Sequence, residues 1–221
     1  KRVPFVQKGT RRIEAPKIPA GPPLDLGVKG MASTQTGFGR FLDEVAKRGG
    51  PLADRIVTTS PDVTVSTNLG PWVNRRGLFS MQSKEDVFKD RGLMSPQKWE
   101  MSPKGQHIEL GIAEMNLFLT LAAAGLSGSL FGERLIPIGT LYDPFIMRGL
   151  DALNYACYQE ARFIVVATPS GLTLAPEGGA HQSIATPLIG MAQDGLASFE
   201  PAYVDELQAI MAWTFDYVQR E

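Results

Sequence analysis

A carboxylate at the head of an apolar helix is the first place in this sequence where residue type and position together suggest chemistry. Glu114 precedes MNLFLTLAAAGL, a run with almost nothing polar to make its face a solvated one. In a first helical turn a glutamate ordinarily serves as a cap favoured by the helix dipole. Beside an apolar wall, however, desolvation favours the neutral carboxyl, the form a general acid must hold near neutral pH. Both readings stay open on pattern alone. Upstream, Glu109 lies in HIE (107–109), which reads as a strand.

A second group of candidates follows two apolar runs. The stretch TPSGLTLAPEGGAHQS (168–183) holds Glu177, Gly178, Gly179 and His181. Glycine permits close approach of backbone to a ligand and a loop histidine exchanges protons near neutral pH, although an ordinary surface loop has the same composition. Tyr142 and Phe145 in TLYDPF either pack in the core or present an aromatic face to a flat ligand. Arg148, one turn further on, either binds an anion or is a solvated, salt-bridged residue. Other chemistries fail on spacing. GLSGS (125–129) is not a G-x-S-x-G elbow, and neither histidine stands in a triad pattern. GFG (37–39) lacks a third glycine and reads as helix packing. HIE echoes the H-x-E of zinc deaminases without the cysteine pair those enzymes need.

The elements that must carry these residues alternate. STQTGFGRFLDEVAKRG places Phe38, Phe41, Leu42 and Val45 at helical spacing between a Ser/Thr cap and a stop at Gly49. RIVTTS (55–60), RLIPIGTLY (134–142) and RFIVVATPS (162–170) read as buried strands ending in turn residues. Helical patterns run from Ala113 to about Leu126 and from about Pro144 to Gln159, the latter with Ile146, Leu150, Leu153 and Cys157 on one face. A last one carries Val204, Leu207, Met211 and Val218. The alternation predicts an α/β fold, a mainly parallel sheet with helices on both faces, whose ligands bind outside the carboxyl ends of the strands.

Composition bounds the rest. The 221 residues are 43% hydrophobic and 20% charged, as in a globular protein with one good core. A formal charge of -1 supplies no general field for nucleic acid or an anionic membrane, and no apolar stretch is long enough to span a bilayer. Cys157 is the only cysteine, which excludes an internal disulfide and fits a reducing compartment, so a cytoplasmic address is expected. Residues 1–30, with five prolines among charges and glycines, are expected to be a Pro-rich linker, leaving 31–221 as the folded domain. A start at Lys1 and an end inside a helical pattern suggest a piece of a longer polypeptide.

Four stretches together resemble the pyrimidine-binding domain of the transketolase family of thiamine-diphosphate enzymes. SPDVTVSTNLGPW (60–72) is similar to that family's strand-end motif, and LGIAEMN (110–116) to its G-[IV]-x-E signature. LYDPFIMR (141–148) is similar to a Tyr-x-x-Phe-x-x-Arg run, and GGAHQ (178–182) to a histidine loop. The four occur in family order. The resemblance implies a thiamine-diphosphate-binding fold in which Glu114 hydrogen-bonds the aminopyrimidine ring nitrogen and drives the proton switch that activates the thiazolium carbon. It further implies that Ile112 is an apolar wedge beneath the cofactor, that Phe145 stacks on the pyrimidine with Tyr142 beside it, and that Asp62 lies near the cofactor. His181 would handle substrate protons and Arg148 would bind substrate.

In this family Mg2+ and diphosphate are held by a separate domain with a Gly-Asp-Gly motif, which this sequence lacks. The resemblance therefore implies a partner, the diphosphate-binding domain of another subunit, and a homodimer. RGLDALNYACYQEARFIVVATPSGLTLAPEGGAHQS and SFEPAYVDELQAIM look most like the homodimeric decarboxylating component of a pyruvate dehydrogenase complex, which would pass an acetyl group to a lipoyl acyltransferase. AHQSIATP looks more like transketolase, so ketol transfer between sugar phosphates is the alternative. A non-catalytic dimerisation or regulatory module is the third reading.

Overall fold

The computed structural model describes residues 13–94 and 98–220. In chain order its elements are α1 (Thr34–Arg48), α2 (Gly50–Arg55), β1 (Ile56–Ser60), α3 (Gly70–Arg76), β2 (Leu78–Phe79), α4 (Val87–Asp90), β3 (Met101–Ser102) and β4 (His107–Glu109). They continue with α5 (Glu114–Gly125), α6 (Ser127–Phe131), β5 (Ile136–Leu141), α7 (Leu150–Tyr158), β6 (Ile164–Ala167), α8 (Thr186–Ala192) and α9 (Val204–Tyr217). The six strands form one sheet in the order β3-β2-β4-β1-β5-β6, with every pair of neighbours parallel.

Alternation along the central strands sends side chains to two separate cores. Ile56, Ile136, Ile138 and Ile164 face α1, α3 and α9, where they meet Phe38, Phe41, Leu42, Trp72, Leu207 and Phe215. Leu141 faces the other way, toward Leu117, Phe118 and Leu121 of α5 and Leu153 of α7. Helices thus cover both faces, as parallel strands require. The Phe38, Phe41, Leu42 and Val45 stripe is buried as its spacing predicts. Ser33 caps α1 by accepting from the Thr36 N–H at 3.1 Å, and Gly49 ends it. The GFG glycines are indeed packing devices: a Cβ on Gly39 would lie 2.7 Å from the Asn68 carbonyl oxygen.

Two local departures from the expected elements have physical causes. The pattern from Pro144 to Gln159 divides into a 3₁₀ helix, Asp143–Gly149, and α7. The break falls at Gly149, where a Cβ would meet the Phe118 ring at 2.3 Å and the Glu114 carbonyl oxygen at 2.9 Å. The short strands β2 and β3 carry too few residues for alternation to reveal them.

Residues 13–30 contain no helix or strand, yet they are clasped to the domain. Gln219 accepts from the Ile18 N–H at 2.7 Å and donates to its carbonyl at 3.1 Å. Arg134 donates to the carbonyl of Ala15 at 2.9 Å, and Arg48 to that of Pro23 at 3.0 Å. Among the described residues no helix is long and apolar enough to cross a membrane.

Candidate functional site

Parallel pairing sets the carboxyl ends of β4, β1, β5 and β6 side by side, and every candidate residue lies on the segment that follows one of them. Asp62 follows β1; Ile112 and Glu114 follow β4; Tyr142, Phe145 and Arg148 follow β5; His181 follows β6.

Five of the seven candidates form one chain of contacts. Glu114 is the first residue of α5 and is 6% exposed, with its carboxylate Oε1 accepting from the Arg148 guanidinium at 2.8 Å. Oε2 has no partner among the described residues. Arg148 also lies over the Phe145 ring, 4.0 Å from its centroid, while its own side chain is 54% exposed. The Phe145 and Tyr142 rings are parallel within 3°, with centroids 6.0 Å apart. His181 meets both edge-on, at 5.2 Å from Phe145 and 6.2 Å from Tyr142. Its Nδ1 is buried without a hydrogen-bond partner, and its Nε2 stands 3.8 Å from Glu177. Close packing of Gly149 on Phe118 is what lets the 3₁₀ turn deliver Arg148 to Glu114.

Asp62 and Ile112 are not in that chain. Ile112 stands 76% exposed on the loop before α5, and Asp62 is an exposed residue with φ +66°. Both belong to loops held by Glu109, which the sequence places on a strand without giving it a role. Glu109 Oε1 accepts from the backbone N–H of Asp62 at 2.7 Å, Leu110 at 2.9 Å and Gly111 at 3.2 Å. Its Oε2 accepts from the Thr64 hydroxyl at 2.6 Å and from Ser60 at 3.3 Å. Behind Thr64, His107 is fully buried, with Nε2 at 2.8 Å from Thr64 Oγ1 and Nδ1 at 2.9 Å from Thr58 Oγ1. Burial works to raise the Glu109 pKa, but the contacts from His107, Thr64 and the Asp62 amide outweigh it and bring it from 4.5 to about 2. A carboxylate as the last residue of a strand, just before a loop glycine, was the one available signal.

Asp143, between Tyr142 and Phe145, was also missed. It is 5% exposed, one carboxylate oxygen is unpartnered, and burial raises its pKa against the opposing effect of the Gly171 N–H. Its backbone carbonyl accepts from Thr186 at 3.1 Å, tying the aromatic turn to α8. No group of three or more His, Cys, Asp or Glu side chains able to hold a metal occurs among the described residues.

A parallel sheet covered on both faces, with a buried carboxylate and an aromatic cluster at its carboxyl edge, is the arrangement of a ligand-binding α/β domain. The family model "Transketolase, pyrimidine binding domain" matches residues 31–219, and the chain belongs to that family. It is 28% identical over 196 residues to the pyruvate dehydrogenase E1 component of Corynebacterium glutamicum, covering 84% of this chain and 21% of that protein. It is 26% identical to the pyruvate dehydrogenase E1 component of Pseudomonas aeruginosa, covering 91% of this chain and 23% of that one. The chain thus spans about a fifth of the length of these relatives. Among solved structures, transketolase from Leishmania mexicana superposes with a TM-score of 0.64 at 21% identity, covering 85% of this chain and 24% of that one. A transketolase from Pichia stipitis in complex with sedoheptulose 7-phosphate gives 0.65 at 18% identity, covering 89% and 25%. These likenesses show a shared fold.

Proposed function

We propose that this domain holds the aminopyrimidine half of thiamine diphosphate in the decarboxylating component of a pyruvate dehydrogenase, with Glu114 and His181 catalytic and Asp62, Ile112, Tyr142 and Phe145 binding the cofactor. The observation that carries the reading is the buried Glu114 carboxylate, joined through Arg148 to the face of the Phe145 ring. A flat heterocycle with a basic ring nitrogen fits that pairing of acid and aromatic face. When bound, thiamine diphosphate supplies the carbanion chemistry that cleaves a 2-oxo acid. The chain's own part is to orient and to move protons: Glu114 holds the proton at the ring nitrogen, Phe145 stacks on the ring, and the unpartnered His181 Nδ1 faces substrate protons. Arg148 compensates the Glu114 charge before the ligand enters and then, being more than half exposed, turns toward an anionic substrate.

The names of the relatives support pyruvate as substrate; on the same reading the acetyl group passes to lipoyl and the intact enzyme works as a cytoplasmic homodimer. Mg2+ and the diphosphate would be held by the diphosphate-binding domain of the partner subunit. The test is made on the intact protein with thiamine diphosphate, Mg2+ and pyruvate, reading dye reduction. Glu114→Gln is expected to leave cofactor affinity within about threefold while slowing hydrogen-deuterium exchange at the thiazolium carbon by about a hundredfold or more. Unchanged exchange would refute the proton switch. Cofactor binding without pyruvate turnover would move the reading to ketol transfer, and absence of binding to a non-catalytic module.

A further inference from the structure

Glu109 sits where the two loops flanking the proposed cofactor meet. Its carboxylate is engaged on both oxygens, by three backbone N–H groups and two hydroxyls. The Asp62 amide belongs to the loop after β1, and those of Leu110 and Gly111 to the loop after β4 that leads to Ile112 and Glu114. Each loop has a left-handed backbone at the contact, φ +66° at Asp62 and +67° at Gly111. Left-handed geometry at a non-glycine residue is unfavourable and persists where surrounding contacts hold it. At Asp62 the hydrogen bond to Glu109 is such a contact.

Donor counting extends the arrangement inward. A carboxylate only accepts, so the Thr64 hydroxyl spends its single proton on Glu109 at 2.6 Å. Thr64 Oγ1 must then accept from His107, which places a ring proton on Nε2. In the neutral ring Nδ1 is left to accept from Thr58. The segment His107, Thr64, Glu109 therefore has one self-consistent direction of donation, and it runs from the interior of the sheet to the loop pair. Among the described residues no hydrogen bond or ion pair joins Glu109 to a candidate side chain, so its action on the site is through the backbone.

Resting on the function proposed above, we infer that Glu109 is a positioning residue: backed by Thr64 and His107, it locks the Asp62 loop to the Gly111–Glu114 loop and so sets the seat of the aminopyrimidine. A hydrogen bond to a charged group is worth enough to change a local equilibrium on the order of tenfold to a hundredfold. In the intact protein, Glu109→Ala is expected to speed amide hydrogen exchange at Asp62, Leu110 and Gly111 by at least about tenfold, leaving core amides of β5 unchanged. Thiamine diphosphate affinity, read by calorimetry, is expected to fall by about tenfold, with turnover at saturating cofactor also reduced. Glu109→Gln retains one carbonyl oxygen for the three amides and is expected to restore most of their protection and most of the affinity. Thr64→Val, which keeps the carboxylate but removes its inner support, is expected to fall between the two.

Wild-type exchange rates in Glu109→Ala would overturn the lock. Faster exchange throughout the sheet would show a general stabilising role instead, and so would failure of Glu109→Gln to rescue. Faster loop exchange with unchanged cofactor affinity would separate the lock from the seat and defeat the inference. An intact wild-type protein that binds no thiamine diphosphate would refute the function proposal, while the exchange data would still decide whether Glu109 locks the two loops.

Discussion

At the scale of single residues, the two missed acids respond to their surroundings in opposite senses. Glu109 has its carboxyl lowered to about 2, so it contributes stability that is complete above the unfolded value near 4.5 and is lost as pH falls through about 2. The full shift corresponds to about 3 kcal/mol. With 29% of the side chain exposed, on the order of 1 kcal/mol is the realistic share. Wild type is therefore expected to exceed Glu109→Gln in stability at pH 7 by on the order of 1 kcal/mol, with the gap closing between about pH 4.5 and 2 in denaturant titrations. Asp143 is the reverse case. Its raised pKa, caused first by burial, means that the folded state holds the proton more tightly, so stability falls as pH rises through the folded value. Asp143→Asn keeps an acceptor for the Gly171 N–H without a buried charge. Its melting temperature is expected to be higher than wild type at pH 7 and equal to it at pH 3. Glu114 was legible in the sequence because an acid beside a long apolar run is conspicuous. Glu109 was not, because its partner at Asp62 lies 47 positions away and is joined to it by backbone N–H.

At the scale of elements, long periodic segments declared themselves and close approaches did not. The stripe of α1, its Ser33 cap and its Gly49 stop follow from local rules, and so do the strands with apolar runs. The division of 143–158 into two helices depends on Phe118, thirty-one positions upstream of Gly149, and no local pattern reports that contact. The same contact sets the distance between α5 and the turn bearing Phe145 and Arg148. Gly149→Ala introduces a Cβ that meets the Phe118 ring at 2.3 Å, in a core where neither side can yield freely. Overpacking of this kind costs about 1–3 kcal/mol. Urea titration of the intact protein is expected to show that loss, together with weakened cofactor binding as Arg148 and Phe145 move off α5. Full stability in Gly149→Ala would show that the turn relaxes without strain.

At the scale of the whole molecule, the outer face of α5 leaves several large apolar side chains exposed. The composition of α5 is apolar nearly all round, a pattern that belongs to helices covered on every side. Leu117, Phe118 and Leu121 face the sheet, but Leu119 is 53% exposed, Met115 38% and Ile112 76%. Tyr155 of α7 adds another exposed ring beside Met115 and Leu119 at 58%. Contiguous apolar surface of this sort marks an interaction site. It lies on the helix that begins with Glu114, so whatever covers it also closes the candidate site from that side. The proposed dimer supplies such a cover. It explains why the sequence spends apolar residues on the outer face of α5 as well as on the face that packs into the core. Leu119→Lys places a charge on this outer face without disturbing the packed one. In the intact protein it is expected to weaken self-association by about a hundredfold or more, because an unpaired charge within an interface costs several kcal/mol. Sedimentation velocity across a dilution series reads the shift, and cofactor affinity is expected to fall in parallel with the dimer fraction. A variant that stays dimeric at every concentration would place the contact between subunits on another face of the domain.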